Sequence, residues 1–232
     1  MRWLLNTFPS WVLAILMVGG SVLLALAGLR AIRRVDRGAA DDFAGVMAGV
    51  IAAVYGVFLA FAIVALYEEF HEAEMSVQAE SAALTRVVLA TDRRDAALAY
   101  RDAVAGDEWD EMAEGRSSPA AWERLRELHA AAGEPGRRAV ADLVDARRER
   151  LHAAEATLPS TAMMLLFGGG VLTLGFVVAF AGAASRVNAA MVVSFSVLLG
   201  FSLLVALLLD HPFSGDVAVS PEPLFEDALA RR

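Results

Sequence analysis

Apolar residues fall along this chain in two kinds of run. Four stretches are almost unbroken: 11–29 (WVLAILMVGGSVLLALAGL), 43–67 (FAGVMAGVIAAVYGVFLAFAIVALY), 161–185 (TAMMLLFGGGVLTLGFVVAFAGAAS) and 187–209 (VNAAMVVSFSVLLGFSLLVALLL). None contains a charged side chain, and each is close to the roughly 20 residues a helix needs to cross a bilayer. They predict four transmembrane helices. An Ala25-Leu26-Ala27 sequence resembles a signal-peptide cleavage site, but Arg30, Arg33, Arg34 and Arg37 follow this apolar run, as in a retained membrane helix.

Between the second and third runs the apolar positions are interspersed with charges, and no stretch alternates with period two. The segment YEEFHEAEMSVQAESAALTRVVLA continues the second membrane helix with no Gly or Pro to break it. A helix over 92–115 is expected next, with Asp92 as N-cap and Gly115 as its stop. Ser118 and Pro119 read as N-cap and first residue of a helix over 119–132. After GEPG, a fourth helix is expected over 137–158. The fold class is therefore an all-α membrane protein, with four transmembrane helices and an extramembrane helical bundle between the second and third. Residues 1–67 form the first transmembrane hairpin, 68–158 the bundle, 159–210 the second hairpin and 211–232 a tail.

Charge orients this arrangement. The loop after the first helix and the turn between the last two carry Arg30, Arg33, Arg34, Arg37 and Arg186, against Arg2, Arg147, Arg148 and Arg150 on the other side. Positive loops stay in the cytoplasm, so the bundle is expected outside it. Across the bundle stem, antiparallel packing would set Arg150 and Arg147 near the level of Glu74 and Glu80, as exposed ion pairs worth at most about 1 kcal/mol each.

Composition narrows the chemistry. Of 232 residues, 57% are hydrophobic, cysteine is absent, all 20 basic residues are arginine, and net charge is −8. The acidic balance argues against nucleic acid as a partner, and missing thiols exclude disulfides and thiolate metal sites. There is no G-x-S-x-G elbow, phosphate loop or H-E-x-x-H, so the chain does not read as an enzyme. Charge-free spans also argue against a proton-coupled pump, which needs intramembrane carboxylates or histidines.

Three patterns stand out inside the elements. Tyr55, Phe58 and Phe61 recur every third residue on the second helix and are pore-lining candidates; their alternative role is packing against lipid or neighbouring helices. Gly45 and Gly49 with Ala53, and Gly168, Gly169, Gly170 and Gly175, permit close helix approach, while Ser194, Ser196 and Ser202 can bond between helices or to their own carbonyls. Glu68-x-x-His71-x-x-Glu74 and Glu149-x-x-His152-x-x-Glu155 repeat a spacing used by di-metal bundles. Glutamate is common throughout this region, and these stretches read as solvated faces, so neither metal nor cofactor is assigned.

The fourth helix ends on Asp210, the unfavourable charge for a helix C-terminus, followed by His211, Pro212, Phe213 and Gly215. Pro212 ends the helix, Phe213 can fold back as an apolar plug, and Gly215 supplies the positive φ of a tight turn. This block reads as a structural clasp, with an ion or ligand site at a pore mouth as the alternative.

GVIAAVYGVFLAFAIVALYEEFHEAE, QAESAAL, YRDAVAGDEWDEM and LDHPFSGDVAVSPEP together resemble a bacterial membrane family called bestrophin-like, over nearly the whole chain. The resemblance implies kinship with bestrophins, pentameric anion channels with four membrane helices per subunit. Bestrophins hold their bundle in the cytoplasm, the reverse of the arginine count here. Their acidic calcium-sensing cluster follows the last membrane helix and has no counterpart in the short tail after Leu209, so calcium gating does not carry over. The expectation is a homo-oligomeric channel or pore in a bacterial inner membrane, its partners the lipid bilayer and small inorganic ions. A membrane sensor or scaffold whose bundle binds a partner is the alternative.

Overall fold

A computed structural model describes residues 2–32, 42–181 and 185–226. Its elements are α1 (Arg2–Thr7), α2 (Ser10–Ile32), α3 (Asp42–Ala90), α4 (Arg94–Ala103), a π-helical turn (Val104–Glu108), α5 (Trp109–Ala113), α6 (Pro119–Ala131), α7 (Gly133–Glu155), α8 (Ser160–Ala179), α9 (Arg186–Leu209) and a closing 3₁₀ turn (Glu222–Phe225). Among the described residues there is no strand. Four helices are long and apolar enough to cross a membrane. Arg33, Arg34, Arg37 and Gly38 lie outside the described residues.

Several boundaries follow the local chemistry and several depart from it. The Ser118 hydroxyl accepts the Ala120 N–H, with Pro119 at the first helical position, so α6 starts as its capping residues dictate. Gly115 adopts φ +83° just beyond α5. Asp92 is not a cap: Arg93 occupies that position, without a side-chain bond to the helix. The helix expected over 92–115 is instead two α-helical pieces joined by the π turn. GEPG does not precede the next helix but forms its first turn, where Pro135 is tolerated because the first N–H groups of a helix have no intrahelical acceptor. α8 ends at Ala179, short of the expected 185.

The chain divides into two compact units, Phe8–Tyr67 with Leu158–Leu209, and Met1–Thr7 with Glu68–Thr157 and Asp210–Arg232. In the first, α2 and α9 lie close enough for the Ser21 hydroxyl to donate to the Ser196 carbonyl at 2.7 Å. Gly200 makes that approach possible: a Cβ there would stand 2.9 Å from Val18 Cα and 3.0 Å from the Met17 carbonyl. The membrane half of α3 is tied on by Tyr55, whose hydroxyl donates to the Leu166 carbonyl at 2.5 Å. Its ring lies over Gly169, where a Cβ would come within 2.8 Å of the ring edge. The glycine run of α8 therefore receives an aromatic ring. Gly45 and Gly49 make no close helix contact here; nothing lies within 4 Å of their Cβ positions. Ser196 and Ser202 bond back to carbonyls of their own helix.

The second unit has its own core. On α3, Ala73, Val77, Leu84 and Val87 follow alternating four- and three-residue steps with Glu80 in the same register, and all five are fully buried. On α7, Val140, Leu143, Arg147, Arg150 and Ala154 follow the same kind of spacing and are buried.

Gly200→Ala tests the α2–α9 contact. The added methyl must displace backbone as well as the Ser21 side chain, and overpacking of this kind costs about 1–3 kcal/mol. A lower unfolding midpoint in detergent is the expected result.

Candidate functional site

The polar unit is organised around charges inside its core. Arg150, fully buried, donates through Nε to Glu80 Oε2, through Nη2 to Glu108 Oε2 at 2.6 Å, and through Nη1 to the Met112 sulfur. Arg147 closes on Glu108 through both Nε and Nη2. Tyr100 donates its hydroxyl to Glu80 Oε1 at 2.5 Å, and the Ser118 N–H donates to Glu108 Oε1 at 3.2 Å. Two guanidiniums thus meet two carboxylates, with a hydroxyl and an amide completing the acceptors. Burial alone would lower the Arg150 pKa, but Glu80 and then Glu108 outweigh it and hold the group above the ordinary arginine range. Tyr100 is pushed well above its ordinary value by burial and then by the Glu80 charge, so it remains a donor.

The helices do bring arginines of α7 to a glutamate of α3, but Arg150 meets Glu80 and Glu108, Arg147 meets Glu108, and these pairs are buried, not exposed. Glu108 escaped the sequence reading. The π turn, one residue wider than α-helical geometry, ends on Glu108 and offsets the register of the helix that carries it. A visible signal existed for its partners: Glu80, Arg147 and Arg150 occupy core positions of their helical repeats.

The segment after α9 is clamped beside this cluster. Trp109 links the two, with the Arg150 guanidinium 5.4 Å over its ring and Phe213 edge-on at 5.6 Å. The Trp109 indole N–H donates to the Val219 carbonyl, and the Val219 N–H to the Pro212 carbonyl at 2.7 Å. The Ser214 hydroxyl and the Asn6 amide both donate to the Ala113 carbonyl, and the Gly215 N–H donates to Asn6 Oδ1. Gly215 stands at φ +82°. Asp210, His211 and Phe213 are buried, and His211 Nδ1 lies 3.0 Å from Asp210 Oδ2. Farther on, Ser81 donates to the Pro223 carbonyl and Arg101 covers the Phe225 ring at 4.8 Å.

Of the paired Glu and His stretches, His71, Glu149 and His152 reach one cleft, whereas Glu68, Glu74 and Glu155 do not line it. Glu69, His71 and Glu72 of α3 and Glu149 and His152 of α7 line a cleft of about 630 Å³ that Pro212 also borders. Among the described residues, no three His, Asp or Glu side chains converge closely enough to hold a metal.

In the apolar unit the aromatic stripe is not one surface. Tyr55 is 8% exposed, Phe61 is 71% exposed, and Phe58 is partly buried with its ring 6.2 Å from that of Tyr55. A three-residue step rotates 60° short of a full helical turn, which carries the stripe from interior to exterior.

Arg150→Met removes the cation that both carboxylates share. Breaking a buried pair from one side costs about 3–5 kcal/mol, and truncating Glu80 to Leu in the same chain should recover part of it. Chemical denaturation of the single and double variants measures both effects.

The Bestrophin-like domain model matches residues 15–224. No curated protein and no solved structure shows significant similarity to the chain. The match takes in most of α2, the whole of α3, α8 and α9, the buried ion cluster and most of the segment after α9. With nearly its whole length matched, this multi-pass, all-helical membrane protein belongs to the bestrophin-like family.

Proposed function

We propose that the protein is an oligomeric ion channel or pore, with the membrane half of α3 facing the axis between subunits. The observation that carries this reading is an unoccupied face on α3. Val46, Val50, Val54, Val57, Phe61 and Val64 recur at helical spacing and are all exposed. Gly45, Gly49 and Gly56 leave open space beside that helix. A helix that turns Tyr55, Leu59 and Leu66 inward and leaves this opposite face bare suits contact with further subunits, and membership of the bestrophin-like family supports the same reading. In this arrangement Tyr55 holds α3 to α8, Phe61 reaches the axis and Phe58 backs it. The bundle between α3 and α8 stands outside the membrane on the non-cytoplasmic side of a bacterial inner membrane. Asp210, His211, Pro212, Phe213 and Gly215 act as a structural clasp for its core. No catalytic step, metal or cofactor enters.

A constriction lined by neutral and aromatic groups dewets readily and holds a pore closed at rest. Purified protein in liposomes should pass small ions weakly, and Phe61→Ala or Phe58→Ala should increase the leak severalfold. Flux equal to empty liposomes for the folded, oligomeric wild type and both variants would overturn the channel reading and favour a scaffold whose bundle binds a partner.

Sidedness is tested separately, since the chain lacks cysteine. A thiol at Ser117→Cys should react with an impermeant reagent outside intact cells, and one at Gly38→Cys should not. The reverse labelling would place the bundle in the cytoplasm.

A further inference from the structure

The bare face of α3 does not end where its apolar run ends. Steps of four, three, four and four residues lead from Val57 through Phe61 and Val64 to Glu68 and Glu72. Such steps stay on one side of a helix, and α3 is a single helix, Asp42–Ala90. All five side chains are exposed. At 1.5 Å per residue, Glu68 and Glu72 stand about 10 and 16 Å beyond Phe61 along the helix. The first arginine of α3 is Arg86, about 27 Å beyond Glu68. Glu72 also borders the cleft of about 630 Å³, with Glu69 and Glu149, and among the described residues no arginine lines it. Other exposed glutamates are matched by arginines close at hand, Glu127 by Arg124 and Glu134 by Arg137.

We propose that the pore passes small inorganic cations in preference to anions, with Glu68 and Glu72 as its specificity-determining residues; this rests on the channel reading. Val57, Phe61 and Val64 are neutral, so that stretch of α3 offers no charge to choose between ions of opposite sign. The choice falls to the mouth, where α3 leaves its apolar run. Each subunit of a homo-oligomer contributes the same two carboxylates, and rotation about the axis sets them in rings at constant depth. Rings of glutamate are how cation channels reject anions. A mouth lined by one sign of charge raises the local concentration of counter-ions tenfold or more and lowers that of co-ions. His71, the base that follows on α3, lies 3.4 Å from Glu74 and is answered there.

The test reconstitutes the full chain in planar bilayers under a KCl gradient, where the reversal potential reads the permeability of potassium against chloride. Wild type should favour potassium by at least about fivefold. A Glu68→Gln, Glu72→Gln double variant should bring the ratio to within about twofold of unity, and Glu68→Lys with Glu72→Lys should invert it. Both side chains are exposed, so the glutamine variant keeps the fold. Glu127→Gln, on α6, should leave the ratio unchanged. Phe61→Ala, with its larger leak, gives the same measurement where wild-type current is small. Current that favours chloride or neither ion overturns this proposal and leaves the channel reading standing. Selectivity retained in full by the double glutamine variant overturns the assignment to Glu68 and Glu72. Absence of current from both wild type and Phe61→Ala removes the channel reading and this proposal with it.

Discussion

A guanidinium placed in an apolar core must be answered by carboxylates at bonding distance, and Arg150 imposes that requirement on the whole polar unit. Isolated, it would carry a desolvation penalty of several kcal/mol. Glu80 supplies one answer from α3. Glu108 supplies the other, from a π turn between two short helices. Tyr100 and the Ser118 amide then fill the carboxylates' remaining acceptor sites. Partly satisfied, such a network would be worse than an apolar core. Satisfied from α3, α4, the π turn and α7 together, it specifies one register for all of them.

The same cluster sets the position of the chain's last segment. Trp109 follows Glu108 directly, so the turn that delivers the carboxylate also places the indole under Arg150. Phe213 meets the edge of that indole, and the indole N–H is spent on Val219. The buried Asp210 at the end of α9 belongs to this arrangement. An acidic C-terminus is unfavourable for an isolated helix, but here its carboxylate has the His211 imidazole beside it and lies among the groups gathered by the clasp.

The apolar unit is held by shape in place of charge. Lipid-like surroundings offer no hydrophobic drive between helices, so close contact and internal hydrogen bonds must supply cohesion. Gly200 admits α2, Gly169 admits the Tyr55 ring, and the hydroxyls of Ser21 and Tyr55 find backbone carbonyls across the contacts. Other small residues are left open: Gly45 and Gly49 border a groove of about 320 Å³ instead of touching a helix.

Whatever depends on runs and periods could be read directly from the residues. Unbroken apolar stretches determine four membrane-length helices, because backbone polar groups in a bilayer can be satisfied only within the segment. Ser118-Pro119 determines a helix start and Gly115 a stop, because caps and positive φ are local matters. The tertiary structure alone decided that Glu80, Arg147 and Arg150 meet inside the core and that Glu108 joins them. It also decided that Tyr55 turns inward while Phe61 faces out. Charge at a helical core position is visible in the sequence, but its partner is not. A π turn shifts register by one residue without a distinctive composition, and the partner lies 42 residues away, so only the packed chain could bring them together.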